Sequence, residues 1–173
     1  ELGFDSRYVN TRDGVGLTEG DDVGVVDNGP DSFVDGSQGF AIADPDGKMV
    51  TEFDAVELSG TSTPYVSVQY FIESTGWEGT DQLRIYISLS GGGEVDLVNL
   101  DGEQIDNDDT GPGREGEWVF VQEDLSSYTG QNATLVFAVD SNAGTEAIYF
   151  DQVQFSSDGP IPVELASFDV STD

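Results

Sequence analysis

Residues 82–90, "QLRIYISLS", alternate with period two: Leu83, Ile85, Ile87 and Leu89 fall on one side, Gln82, Arg84, Tyr86 and Ser88 on the other. Successive side chains of a strand point to opposite faces, so this run folds as a half-buried β-strand and not as a helix. "YVSVQYFIE" repeats the pattern with Val66, Val68, Tyr70 and Ile72. Further strand candidates are "DVGVVD", "GFAIAD", "VTEFDAVEL", "EVDLVNL", "WVFVQEDL", "TLVFAVD", "AIYFDQVQF" and, past a proline pair, "VELASFDV". Turn signals such as "DNGPD", "DPDG", "LSGTSTP", "SGGGE" and "DDTGPGREG" separate them. About ten strands at this spacing, with no amphipathic helical stretch between them, predict an all-β, antiparallel jelly-roll β-sandwich.

Charge narrows the setting in which such a sandwich works. The 173 residues carry 35 Asp and Glu against 5 Lys and Arg, a formal net charge of −30, and Lys48 is the single lysine. So many like charges oppose the compact state at low ionic strength, whereas concentrated salt screens them over a few ångströms. The composition therefore fits a high-salt or marine environment. It leaves no basic patch for a nucleic acid. With no Cys and no His, disulfides, thiol nucleophiles and imidazole chemistry are excluded, leaving carboxylates, hydroxyls and amides. No apolar run approaches the roughly 20 residues that span a bilayer, so membrane insertion is not expected. The opening "ELGFDSRYVN" lacks the basic start and apolar centre of a signal peptide, and for an exported protein it reads as a mature form.

An early "GFD", then "DSFVDGSQGFAIAD", "DQLRIYI", "GEWVFVQEDLSSYTGQ", "TLVFAVDS" and a closing "AIYFDQVQF" occur in an order that resembles the MAM-type and carbohydrate-binding jelly rolls of secreted multidomain proteins. The resemblance runs over about residues 3–155 and is carried by short, degenerate pieces, so it speaks to fold more than to function. The chain departs from animal MAM domains in having no cysteine for their disulfides. The tail "GPIPVELASFDVSTD" resembles the linker that follows such modules in surface proteins of salt-adapted bacteria. The expected organisation is a sandwich over residues 1–157, followed by a Pro-containing linker and terminal strand over 158–173 that leads toward a further domain or partner.

The resemblance also implies a structural Ca²⁺ between the early Asp-rich segment, with Asp31 and Asp35, and Asp151 of the last strand. Asp151 lies among apolar neighbours in "YFDQV", so its carboxylate needs a cation or backbone donors. A second candidate is "DPDG", where Asp44, Asp46 and nearby carbonyls can supply oxygens to a hard cation. The same tetrapeptide reads as an ordinary turn, with Pro45 fixing φ and Gly47 accepting φ > 0, and taken alone the turn is the preferred reading. "DGEQIDNDDTGPG", with Asp106, Asp108 and Asp109, reads as a solvated loop.

Catalysis finds little support. "GEVDLVN" approaches the E-x-D-x-x-E strand of laminarinase-like glycoside hydrolases through Glu94 and Asp96, but Asn99 stands where the acid–base glutamate belongs, and an amide cannot deliver that proton. Recognition is the remaining class. Trp77, in the loop-like "STGWEGTD", can stack on a sugar or a partner, or fold back to cap the edge of the sandwich. Trp118 opens an alternating strand and reads as core. Tyr65, Phe71 and Tyr86 lie opposite the apolar faces of their strands, where they form an aromatic patch unless something covers them. The sequence thus points to an extracellular or cell-surface module that binds a glycan or a cell-surface protein. The alternative is a subunit that polymerises with itself into a filament or surface layer through strand contacts.

Overall fold

A computed structural model describes residues 8–12, 22–30, 32–45, 47–107, 111–157 and 159–160; for residues 8–12, 22 and 107 the backbone alone is described. The strands are β1 (Tyr8–Arg12), β2 (Asp22–Val26), β3 (Gly39–Ala43), β4 (Gly47–Phe53), β5 (Val56–Glu57), β6 (Tyr65–Ile72), β7 (Gln82–Leu89), β8 (Glu94–Asp101), β9 (Trp118–Asp124), β10 (Asn132–Ser141) and β11 (Ala147–Ser156). They pair antiparallel into two sheets: sheet A in the order β1-β4-β10-β7-β8, with β5 also on β10, and sheet B in the order β2-β3-β11-β6-β9. Sequence neighbours β3 and β4 lie in different sheets, as do β6 and β7, and β10 and β11, so the two layers are laced together along the chain. The expected all-β sandwich is the fold.

The period-two pattern decides which atoms meet between the layers. Ile42, Val68, Tyr70, Ile72, Leu83, Ile85, Ile87, Leu135 and Phe137 are all buried. Each of these side chains contributes roughly 1.5–3 kcal/mol by leaving water. At the centre Phe137 of sheet A stacks on Phe150 of sheet B, with ring centroids 3.8 Å apart and planes within 6°. Phe40 and Phe53 meet at their edges beside that pair, with centroids 5.9 Å apart.

Three local readings of the sequence need correction. Strand β1, inside the opening stretch that carried no strand expectation, pairs along β4 from Tyr8↔Phe53 to Arg12↔Met49. The acidic stretch after β8 is not only solvated loop: it starts with a short helix, α1 (Gly102–Asn107), whose Ile105 is buried. Asp101 Oδ1 accepts the N–H of Gln104 at 2.9 Å and Gln104 Oε1 accepts that of Asp101 at 3.0 Å, a reciprocal cap that starts the helix. Trp118 is not core. It stands half-buried on the outer face of sheet B, because its partner across the strands, Phe71, faces outward too. The expected terminal strand "VELASFDV", like residues 161–173 as a whole, lies outside the described residues.

Candidate functional site

The outer face of sheet A is a short grid of side chains. Along β4, β10 and β7 the register sets Lys48, Asp140 and Gln82 in one row, Val50, Ala138 and Arg84 in the next, and Glu52, Val136 and Tyr86 in a third. Lys48, Val50, Gln82, Arg84, Tyr86, Ala138 and Asp140 line a shallow pocket there. Two of the five basic residues in this acidic chain, Lys48 and Arg84, therefore share one hollow with an aliphatic floor. The Arg84 guanidinium carbon lies 4.1 Å from the centroid of the Tyr86 ring. It is held by Asp96 at 2.6 Å and Glu94 at 2.7 Å, both from β8. Burial works against the arginine's charge, but these two carboxylates outweigh it and hold its pKa above the ordinary value. Burial, and then the Glu94 charge, raise that of the Tyr86 hydroxyl. Arg84 thus fixes the tyrosine ring from one side, leaving an oriented aromatic surface next to hydrogen-bonding groups. Glu94 and Asp96, the pair that resembled hydrolase carboxylates, both serve to hold this guanidinium.

Tyr65 and Phe71 do not share that face. Both lie on β6 of sheet B and Tyr86 on β7 of sheet A, so the expected single aromatic patch is divided between the two outer surfaces of the sandwich. Phe71 packs against Trp118 with centroids 5.7 Å apart and against Tyr149 at 6.2 Å, and Trp118 reaches Phe33 at 6.3 Å. The segment after β2 crosses this cluster. Trp118 Nε1 donates to the Ser32 carbonyl at 2.9 Å. Gly29 lies so close against the Tyr149 ring that a Cβ there would overlap it. Tyr65, at the far end of β6, donates its hydroxyl to Asp124 Oδ2 at 3.0 Å. That hydrogen bond is the main reason its pKa rises.

Asp151 also faces out of sheet B. The β6–β11 register shifts between Asp151 and Gln154, and Gln152 takes the left-handed conformation, φ 45°. This bulge aims the Asp151 carboxylate at the crossing segment: Oδ2 accepts the N–H groups of Val34 at 2.8 Å and Asp35 at 2.9 Å, while Oδ1 accepts that of Gln152 at 2.7 Å. Backbone donors thus answer the requirement that the sequence left open between donors and a cation. Asp35 brings its N–H to this contact. Asp44, by contrast, sits at the opposite end of β3, where its N–H donates to the Glu146 carbonyl at 2.9 Å. Five strand residues separate the two ends, about 16 Å, so the two candidate segments lie well apart. Asp31 and Asp46 lie outside the described residues.

Trp77 is folded back rather than offered to a ligand. It is 3% exposed, its Nε1 donates to the Glu73 carbonyl at 3.1 Å, and its own N–H is taken by Asp106 Oδ1 at 2.9 Å. Trp77 therefore has no face open for stacking: its ring belongs to the core. The loop it anchors meets the turn between β10 and β11 in a constellation that the sequence reading missed. Ligand oxygens of Glu78, Asp81 and Glu146 lie within 4.8 Å of one another. Asp81 is 2% and Glu146 1% exposed, and Glu78 is on the exposed rim. Asp81 Oδ2 accepts the Glu78 N–H at 2.6 Å. Glu146 Oε2 accepts the N–H groups of Ala143 at 3.0 Å and Asn142 at 3.3 Å. Burial pushes the pKa of Glu146 up to about 7, with the Asp81 and Glu78 charges adding to it and the backbone donors opposing. Burial likewise raises that of Asp81. The 64 positions between Asp81 and Glu146 in the chain hide this meeting from any spacing argument.

The two-sheet antiparallel sandwich matches the fold of solved carbohydrate-binding β-sandwich domains. No protein-family model and no curated protein matches the sequence. Among solved structures the chain is similar to TmCBM61, determined in complex with β-1,4-galactotriose, with a TM-score of 0.57 and 16% identity over 88% of this chain and 90% of that one. It is also similar to a xylan-binding domain from CBM 22, with a TM-score of 0.50 and 12% identity over 92% of each chain. At these identities the likeness establishes the shared fold.

Proposed function

We propose that this chain is a non-catalytic glycan-binding module, with the outer face of sheet A as its platform. The observation that carries the reading is the pairing of Tyr86 with Arg84 above Val50 and Ala138, within reach of Lys48, Gln82 and Asp140. A sugar ring presents apolar C–H faces and a rim of hydroxyls, and a site for it needs a fixed aromatic or aliphatic surface flanked by a few directed polar groups. The likeness of the fold to modules solved with a galactotriose or described as xylan-binding supports this ligand class. The division of labour at Glu94 and Asp96 supports the absence of catalysis, since an acid–base pair has to be free to exchange protons. The charge of −30 supports a salt-exposed setting.

Calorimetry in concentrated NaCl against β-1,4-galactan and xylan oligosaccharides tests the reading. Binding without release of shorter products is expected; failure to bind across a broad glycan array, or hydrolysis of a bound chain, overturns it. The alternative, assembly into a filament or layer, draws on edge strand β2, whose Val25 is 64% exposed. It is separated by sizing chromatography in the same buffer, where a binding module runs as a monomer.

A further inference from the structure

We propose that Glu78, Asp81 and Glu146 form a binding site for one hard divalent cation of the calcium type, where the loop between β6 and β7 meets the turn between β10 and β11. The decisive observation is Glu146 Oε1, a buried carboxylate oxygen that no donor reaches among the described residues. Its sister oxygen is satisfied by two backbone N–H groups, so the side chain is held in place with one oxygen left over. A carboxylate oxygen shut away from water without a partner is unfavourable, and a proton or a cation relieves it. Asp81, equally buried, points an oriented carboxylate at the same spot, with Asn142 Nδ2 at 3.5 Å from its Oδ1.

Span and chemistry select the ion. Oxygens within 4.8 Å of one another match the span available to two ligands that each sit about 2.4 Å from a common centre, inside the range for Ca²⁺. An all-carboxylate set is hard, and the chain contains no His or Cys to favour a softer metal. Mg²⁺ demands shorter bonds of about 2.0–2.1 Å in near-ideal octahedral geometry, which suits two independent loops less well. Glu78 on the exposed rim gives the ion an entrance, with waters and carbonyls completing a shell of about six to eight oxygens. The raised pKa of Glu146 agrees with this, because a buried group crowded by two like charges takes up whatever positive charge is offered. The site is distinct from Asp151, four residues along β11 from Ala147 and satisfied by backbone donors. Its consequence is mechanical: an ion ties together two loops already joined by Glu73 N–H to the Ala147 carbonyl at 2.9 Å and by the Thr75–Thr145 hydroxyl contact at 3.0 Å.

The test uses the whole chain, stripped with chelator and titrated with CaCl₂ at fixed high ionic strength, where diffuse counterion binding is already saturated. Wild type is expected to bind one ion and to melt at higher temperature. Glu146→Gln and Asp81→Asn should weaken calcium binding by at least about ten- to a hundred-fold and lose the rise in melting temperature. Glu57→Gln, which removes one charge from an exposed strand residue far from the loops, should keep both. In chelator, Glu146→Gln should melt at or above wild type, because the uncompensated charge is gone. The proposal is overturned if Glu146→Gln keeps the calcium effect, if all three variants lose it alike, or if Glu146→Gln without calcium melts below wild type.

Discussion

The two outer faces of this sandwich obey one sequence rule and end in opposite states. On sheet A, Tyr86 projects from an alternating strand into a hollow bordered by Lys48, Gln82 and Asp140. On sheet B, Phe71 projects from an equally regular strand into a cluster with Trp118 and Tyr149, under a segment fastened through Ser32, Val34 and Asp35. An aromatic residue opposite the apolar side of a strand is thus available for recognition only where no loop crosses it. The difference lies in the 12 residues between β2 and β3 and in the Asp151 bulge that receives them.

If sheet B uses its outer aromatics for packing, Trp118→Ala should produce the largest loss of stability, about 3 kcal/mol in a denaturant titration, while leaving glycan affinity of the folded protein unchanged. A loss of affinity at unchanged stability would reverse the assignment of the two faces. Asp151→Ala follows: it strips an acceptor from the N–H groups of Val34, Asp35 and Gln152, and should destabilise by about 2 kcal/mol. Hydrogen exchange should speed up at Val34 and Asp35 before it does in the strands. On sheet A the corresponding change, Arg84→Gln, removes a partly exposed cation–π contact and two ion pairs, and should cost only about 1 kcal/mol. Its larger effect should fall on ligand affinity, because Tyr86 loses the group that orients it.

The smallest expected effect is one of pH. Hydrogen bonds from Ser126, and then from Tyr65, hold the pKa of Asp124 below its ordinary value. A group depressed in this way stabilises the fold above its unfolded pKa, and that contribution disappears as pH falls through the lower, folded value. Asp124→Asn should therefore lower stability slightly at neutral pH and flatten the acid limb of the melting profile. An unchanged acid limb would mean that the contact at the far end of β6 has no energetic role.

Much of this architecture was legible because alternation is a local signal. Leu83 to Leu89 and Val66 to Ile72 face inward where the pattern puts them. Helix α1 was legible in principle: "DGEQ", residues 101–104, carries the Asp-x-x-Gln spacing of a reciprocal cap, but its acidity drew it toward a loop reading. Alternation says which side of its own strand a residue occupies, not which sheet the strand joins or what crosses it. Tyr86 and Phe71 were therefore grouped together and are in fact on opposite surfaces. Trp77 gave no period to read, since it lies outside the alternating strands and is held by the Glu73 carbonyl four residues back and by the distant Asp106. Glu146 was hidden for the same reason, because a buried glutamate in a turn becomes visible only when the loop bearing Glu78 and Asp81 is seen beside it.

The central claim is that recognition belongs to the outer face of sheet A, and amide chemical-shift mapping during a glycan titration addresses it most directly. The titration uses wild type, Tyr86→Ala and Phe71→Leu with a β-1,4-galactan or xylan oligosaccharide that binds in calorimetry. Shifts confined to β4, β7 and β10 are expected, with affinity at least about ten-fold weaker in Tyr86→Ala, equivalent to about 1.4 kcal/mol, and unchanged in Phe71→Leu. Shifts centred on β6, β9 and β11, or full affinity in Tyr86→Ala, would contradict it.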